Sequence, residues 1–258
     1  MEMPLAELQR NLKMVRLHGM SATLETRFVQ SNQGAAFAEV FACLVQDEMD
    51  WRNSRLVETR FKASGLPDRP TLTEFDWGFN PKLPKKEIYE LVSGKFIRDG
   101  ADALLIGSPG TGKSHIAKTV AHAAVQTGYK VVYREAHDFF EGLFESEQLK
   151  RRKKLTKLLS ETDLLVIDDL FLRKNIPKQA ADDLLEIILN RYTARKSSLI
   201  TSNRPLEDWG KLLGDNAASS VLQDRLLHRG HLLKFEGRSY RLKEASIRLT
   251  ESRRKITG

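Results

Sequence analysis

The residues best suited to chemistry begin at Gly107. Gly107-Ser108-Pro109-Gly110-Thr111-Gly112-Lys113-Ser114 satisfies G-x-x-x-x-G-K-[ST] at every fixed position. An apolar run, Ala103-Leu104-Leu105-Ile106, precedes it, and a helical pattern from Lys113 to about Thr127 follows. That context is the one a phosphate-binding loop needs. Its glycines let the backbone bend so that N–H groups face phosphate oxygens. The helix N-terminus adds partial positive charge. Lys113 can reach the β- and γ-phosphates of ATP, and the Ser114 hydroxyl can ligate Mg²⁺. His115 completes the expected ATP-binding set. The competing reading is a chance glycine-rich turn.

Two further sets have the right chemistry. Asp168 and Asp169 follow Leu164-Leu165-Val166-Ile167. A carboxylate at Asp168 can hold Mg²⁺ through water. Asp169 is placed to polarise an attacking water, or merely to cap the next loop. Many ATPases carry Glu there, and Asp is one methylene shorter. Thr201-Ser202-Asn203 ends the next apolar run, where a polar side chain can meet the γ-phosphate or the water. Ser-Asn-Arg-Pro is also ordinary turn chemistry.

The elements that must hold these groups are legible in outline. Ala103–Ile106, Lys130–Tyr133, Leu164–Ile167, Ser198–Thr201 and His231–Phe235 read as strands, with helical segments between them. Continuous apolar strands alternating with helices predict a buried parallel sheet in an α/β fold. Before them, Leu5, Leu8, Leu12 and Val15 mark a helix face. His18-Gly19 breaks it, and Ser21 is a candidate cap for a second helix. Phe37, Val40, Phe41, Leu44, Val45 and Met49 form a stripe on a long helix. Gly65–Pro70 reads as a linker. The expected division is therefore a helical domain over 1–68 and an ATPase domain over 69–258.

Composition limits the remaining classes. The 258 residues carry 42 Lys+Arg against 34 Asp+Glu, a net charge of +8. An excess of this size leans towards polyanionic partners. One cysteine, Cys43, excludes an internal disulfide and a cysteine-based zinc ribbon. Cys43 sits in an apolar stripe and reads as core. No run approaches a membrane span, and the N-terminus lacks the apolar core of a signal peptide. A cytoplasmic setting is expected, with nucleoid association when on DNA. The positive charge is densest at Lys150-Arg151-Arg152-Lys153-Lys154, with Lys157 close by. Such a run suits phosphate contacts without base reading, or is a solvated face. Leu149, Leu155, Leu158 and Leu159 are expected to anchor its helix. Arg10, Lys13, Arg16, Arg52 and Arg55 could line a second DNA path.

Taken in order, Gly107–Ser114, Leu164–Asp169, Thr201–Asn203 and Asp224-Arg225-Leu226 resemble AAA+ ATPases. With His18-Gly19-Met20, Phe75-Asp76-Trp77 and Asp224–Gly230, the chain is most similar to IstB-like proteins, the ATP-binding helpers of insertion-sequence transposases. DnaC-type helicase loaders come next. The resemblance implies a five-stranded parallel sheet in the order 5-1-4-3-2, and a homo-oligomer with ATP between subunits. Arg225 then looks like an arginine finger for the neighbour's γ-phosphate, or else a surface arginine paired with a nearby carboxylate. Arg229 is a second candidate, and Arg241 a C-terminal sensor. The short stretch after Phe235 implies no C-terminal helical lid. Phe75–Phe79 could cover the adenine instead, or simply pack on the core.

The expected function is an ATP-dependent regulator of transposition. It would hydrolyse ATP, assemble on duplex DNA and recruit or stimulate a transposase. A helicase loader is the alternative, and a small-molecule phosphotransferase a third class.

Overall fold

A computed structural model of the protein describes residues 4–172, 178–214 and 216–256. The chain forms two compact units, Met1–Thr59 and Arg60–Gly258.

Three helices make the first unit: α1 (Leu5–Met14), α2 (His18–Asn32) and α3 (Phe37–Ser64), the last of which continues past Thr59. The expected cap is displaced. Ser21 lies inside α2, and its hydroxyl donates to the Gln9 carbonyl. Glu48 of α3 takes the capping role instead. Its carboxylate accepts the N–H groups of Gly19 at 2.6 Å and Met20 at 3.2 Å. Burial opposes the charge on Glu48, but Arg52 and these two N–H groups hold its pKa below the usual carboxylate value. Asp47, one residue earlier, accepts two bonds from Arg27 and one from Thr23. On α3, Phe37, Phe41, Val45 and Met49 are exposed, so much of the expected apolar stripe faces outward in this unit.

The second unit holds the sheet. Its elements are α4 (Lys85–Val92), α5 (Lys95–Asp99), β1 (Ala103–Gly107), α6 (Lys113–Gln126), β2 (Val131–Glu135), α7 (Ala136–Gln148), α8 (Arg152–Glu161), β3 (Leu164–Leu170), α9 (Lys178–Ala194), β4 (Ser197–Ser202), α10 (Trp209–Leu213), α11 (Asn216–His228), β5 (His231–Phe235) and α12 (Tyr240–Ile256). All neighbouring strand pairs are parallel, in the order β2-β3-β4-β1-β5. This is the expected order read from the other edge. The three inner strands are almost entirely buried, which is why they read as unbroken apolar runs.

This order places the C-terminal ends of β1, β4 and β3 side by side, where open parallel sheets bind ligands. β3 runs three residues beyond the expected end at Ile167. Ile167 pairs with Ile200 and Leu170 with Ser202, so Asp168 and Asp169 together oppose Thr201. That is a β-bulge, a device common beside active sites. Asp169 and Phe171 adopt φ of 55° and 66°. Asp tolerates this region; Phe does not, and its conformation is held by packing against Trp209 in the core.

At the other, N-terminal end of the inner strands, Arg191 is buried and donates to the carbonyls of Leu159, Thr162 and Ser197. Burial pulls its pKa down to about 9. Asp102 is buried there too and accepts the Ser198 N–H at 2.6 Å; burial pushes it up to about 6. These polar groups tie loops to strand ends, away from the phosphate loop.

Candidate active site

The phosphate loop bends where its glycines require. Gly110 and Gly112 have φ of 76° and 103°, and a Cβ on Gly112 would lie 2.7 Å from the Phe75 ring. Lys113 opens α6 and is 4% exposed. Its ammonium donates to the carbonyls of Gly107 and Ser108 at 2.9 and 2.8 Å, and to Asn203 Oδ1 at 2.5 Å. Burial lowers the Lys113 pKa to about 8, against the pull of Asp169 and Asp168.

The predicted β3 and β4 groups meet this lysine. Asn203 Nδ2 also donates to Asp169 Oδ1 at 3.4 Å, so its amide joins Lys113 to Asp169. Asp168 is 3% exposed and committed at both oxygens. Oδ1 accepts from the Thr201 hydroxyl, and Oδ2 from the Tyr133 hydroxyl at 2.7 Å. The same Thr201 oxygen accepts the Asp169 N–H at 2.8 Å, which steadies the bulge. Burial first, then Asp168, raises the Asp169 pKa; Lys113, Arg241 and Asn203 oppose that rise. A raised pKa makes Asp169 a better proton acceptor.

Tyr133 escaped the sequence reading. On an apolar edge strand it is indistinguishable from a core aromatic, and only its hydroxyl contact assigns it a role. Burial and Asp168 raise its pKa well above the ordinary tyrosine value, so it stays a donor.

The aromatic lead-in lies against the loop. The Phe75 ring lies tilted 5.5 Å from the His115 ring and edge to face 4.8 Å from Trp77. Phe75, Phe79, Asn80, Gly112, His115 and Tyr240 line a cavity of about 110 Å³. Among the described residues, His115 Nε2 is buried without a hydrogen-bond partner. The Tyr240 N–H donates to the Gly110 carbonyl at 2.8 Å, bringing the start of α12 onto the loop. Arg241 follows, and its charge is felt at both Lys113 and Asp169.

Other predicted residues stand apart. Arg225 is partly exposed on α11, pairs with Asp224 at 3.3 Å, and lies 5.0 Å over the Tyr192 ring. Arg229 shares that ring at 5.1 Å. Lys150 has φ of 54° in the turn between α7 and α8. Lys150, Arg151, Lys153 and Lys154 are exposed, whereas Arg152 is held by Asp183 and, at 3.6 Å, Glu186. The expected anchoring by four leucines is corrected here. Leu155 and Leu159 pack on the core, but Leu149, at the end of α7, and Leu158, on α8, are exposed. The basic tail Arg253–Lys255 lies in α12, but its side chains fall outside the described ones.

The site fits a nucleoside triphosphate: Thr111, Gly112 and His115 line the cavity, and the Lys113 ammonium meets Asn203 at the strand ends. It also fits Mg²⁺. Ser114 could supply a hard oxygen ligand, and Asp168 could hold the ion through water. Among the described residues no cluster of three or more His, Cys, Asp or Glu could cage a metal, so phosphate and water oxygens would complete the shell.

Residues 10–247 match the family described as IstB-like ATP binding protein. The chain belongs to the IstB-like ATP-binding family. It is 30% identical over 239 residues to an ATP-binding protein of insertion sequence IS21 from Pseudomonas aeruginosa, covering 92% of this chain and 89% of the relative. It is 31% identical over 225 residues to one of IS5376 from Geobacillus stearothermophilus, covering 87% and 88%. Among solved structures, the replication initiator DnaA bound to AMPPCP and single-stranded DNA superposes with a TM-score of 0.55 at 24% identity, over 72% of this chain and 56% of that one. The DnaC helicase loader superposes at 0.51 and 22%, over 58% and 87%. These likenesses establish the AAA+ fold of this IstB-like protein. Among the described residues no helix is long and apolar enough to cross a membrane.

Proposed function

We propose that this IstB-like protein is an ATP-dependent, DNA-binding regulator of transposition. It assembles with ATP on duplex DNA, marks the target and recruits or stimulates a transposase. The single observation that carries the ATPase part is the junction of Lys113, Asn203 and Asp169 at adjacent strand ends. The transposition part is supported by the insertion-sequence relatives.

Gly107–His115 bind ATP, with the aromatic lead-in against its base. Ser114 and Asp168 would hold a Mg²⁺ ion, which when bound supplies charge neutralisation between the β- and γ-phosphates. Asn203 orients the water. Asp169 takes the water's proton as its oxygen bonds to the γ-phosphorus. The bond from that phosphorus to the bridging oxygen breaks, and ADP leaves with the electron pair. With Asp in place of the longer Glu, turnover is slow until assembly on DNA. Arg225 is offered to the γ-phosphate of the next subunit of a homo-oligomer, where a guanidinium neutralises developing charge. Arg229 and Arg241 are the other candidates for that contact. Lys150, Arg151, Lys153 and Lys154 contact DNA phosphates without base reading. The helical region over 1–68 offers the partner or assembly surface, and residues 69–258 form the ATPase domain. The protein works in the bacterial cytoplasm, on the nucleoid when bound to DNA.

Electron microscopy with duplex DNA and a slowly hydrolysed ATP analogue tests this. Nucleotide-dependent multimers along the duplex are expected. Identical particles with and without nucleotide would remove ATP-driven assembly. Capture of a replicative helicase, and not of a transposase, would favour a loader.

A further inference from the structure

Asn80 joins two segments that lie far apart in sequence. Its Nδ2 donates to the Arg238 carbonyl at 2.9 Å, and its Oδ1 accepts the Arg238 N–H at 2.9 Å. One side chain thus satisfies both backbone groups of one residue, as a neighbouring strand would. Asn80 is 7% exposed, so water competes little for these bonds. The fit is close: a Cβ on Gly237 would lie 2.4 Å from Asn80 Oδ1, and Gly237 has φ of 145°.

The two joined segments wall the cavity beside the phosphate loop. One is the lead-in, with Phe75 against Gly112 and Phe79 further on. The other is the start of α12, with Tyr240 bonded to Gly110. Phe79 meets Tyr240 edge to face at 5.3 Å. Arg238 and Lys243 lie 4.8 and 4.9 Å over the Phe79 ring, and Lys243 pairs with Asp76 at 2.9 Å. Those outer contacts are exposed and weakly held. The buried contact that sets the spacing of the two walls is Asn80.

We infer that Asn80 is a positioning residue for the nucleotide base: it clamps the lead-in to the start of α12 and so fixes the grip on the base, independently of the grip on the phosphates. This rests on the reading of the cavity as the base site. The ligand class is a nucleoside triphosphate whose planar base enters between Phe75, His115 and Tyr240.

The test is calorimetric titration of the full-length protein, with Mg²⁺, against ATP and against inorganic tripolyphosphate. Three forms are compared: the parent, Asn80→Leu and Asn80→Asp. Asn80→Leu removes both bonds; Asn80→Asp keeps the acceptor and loses the donor. Losing two buried hydrogen bonds should weaken ATP binding about tenfold in Asn80→Leu, with a smaller loss in Asn80→Asp. Tripolyphosphate binding should stay within about twofold, since the phosphate loop is untouched. Equal losses for both ligands would make Asn80 a general fold contact and overturn the inference, as would unchanged ATP binding. If Asn80→Leu does not fold, Asn80→Asp decides by the same ratio. A parent protein that holds tripolyphosphate as tightly as ATP would instead overturn the base-site reading.

Discussion

The Tyr133 hydroxyl donates to Asp168 Oδ2 at 2.7 Å, so an edge strand steadies the carboxylate proposed to hold Mg²⁺. Tyr133→Phe removes that bond while keeping the ring. The concentration of Mg²⁺ giving half-maximal ATP hydrolysis should rise about tenfold or more, the worth of one hydrogen bond to a charged group. ATP affinity without metal should not change. An unaltered Mg²⁺ requirement would show that Thr201 alone orients Asp168.

Asp169→Asn removes the proton acceptor but leaves a group of the same shape beside Asn203. Hydrolysis should slow by about a hundredfold or more, the usual contribution of a positioned base. ATP binding should persist. A normal rate would mean that another group takes the proton.

The buried Lys113 amine, with a pKa of about 8, makes ATP binding pH-dependent. Below pH 8 the ammonium is already charged and meets the phosphates directly. Above it the free protein holds mostly neutral amine, and binding must take up a proton. Affinity should therefore fall as pH rises from 8 to 9, with proton uptake visible by calorimetry in buffers of different ionisation enthalpy. Lys113→Ala should abolish both this dependence and ATP-driven assembly; intact multimers in ATP would count against it.

Within the basic run, Lys153 and Lys154 are exposed while Arg152 is held by Asp183. Lys153→Gln with Lys154→Gln should weaken duplex binding and lower the salt slope by about two. Arg152→Gln should instead lower stability by about 1–3 kcal/mol, because it removes the charged partner of the buried Asp183 carboxylate and leaves the weaker bond from Gln179 at 3.3 Å. The checks are binding isotherms at several salt concentrations and thermal melts. An unchanged salt slope for the double variant would move the DNA path elsewhere, towards the arginines of the first unit.

Legibility in the sequence follows how local each cause is. The phosphate loop and the strands are local patterns: glycine spacing, continuous apolar runs and a helix start. The strand order came from resemblance, because periodicity does not say which strands pair. Tyr133 looked like core, since a hydroxyl contact leaves no trace in an apolar strand. Asn80 was hidden because its partner, Arg238, is the product of the folded chain. Arg152 was grouped with its neighbours because a run of cations does not reveal which of them meets a carboxylate on α9. Ser21 failed as a cap for the same reason: Glu48, from another helix, supplied the acceptor.

The bulge at Asp168–Asp169 has a consequence for the two acids. In a regular strand, consecutive side chains point to opposite faces of the sheet. Asp168 and Asp169 would then serve different sides, and one of them would be lost to the site. Because both oppose Thr201, the extra residue turns an alternating strand into a double presentation. The pair of adjacent carboxylates is thus encoded by a count: one residue fewer in β3 would leave the composition of the site nearly intact and its chemistry halved.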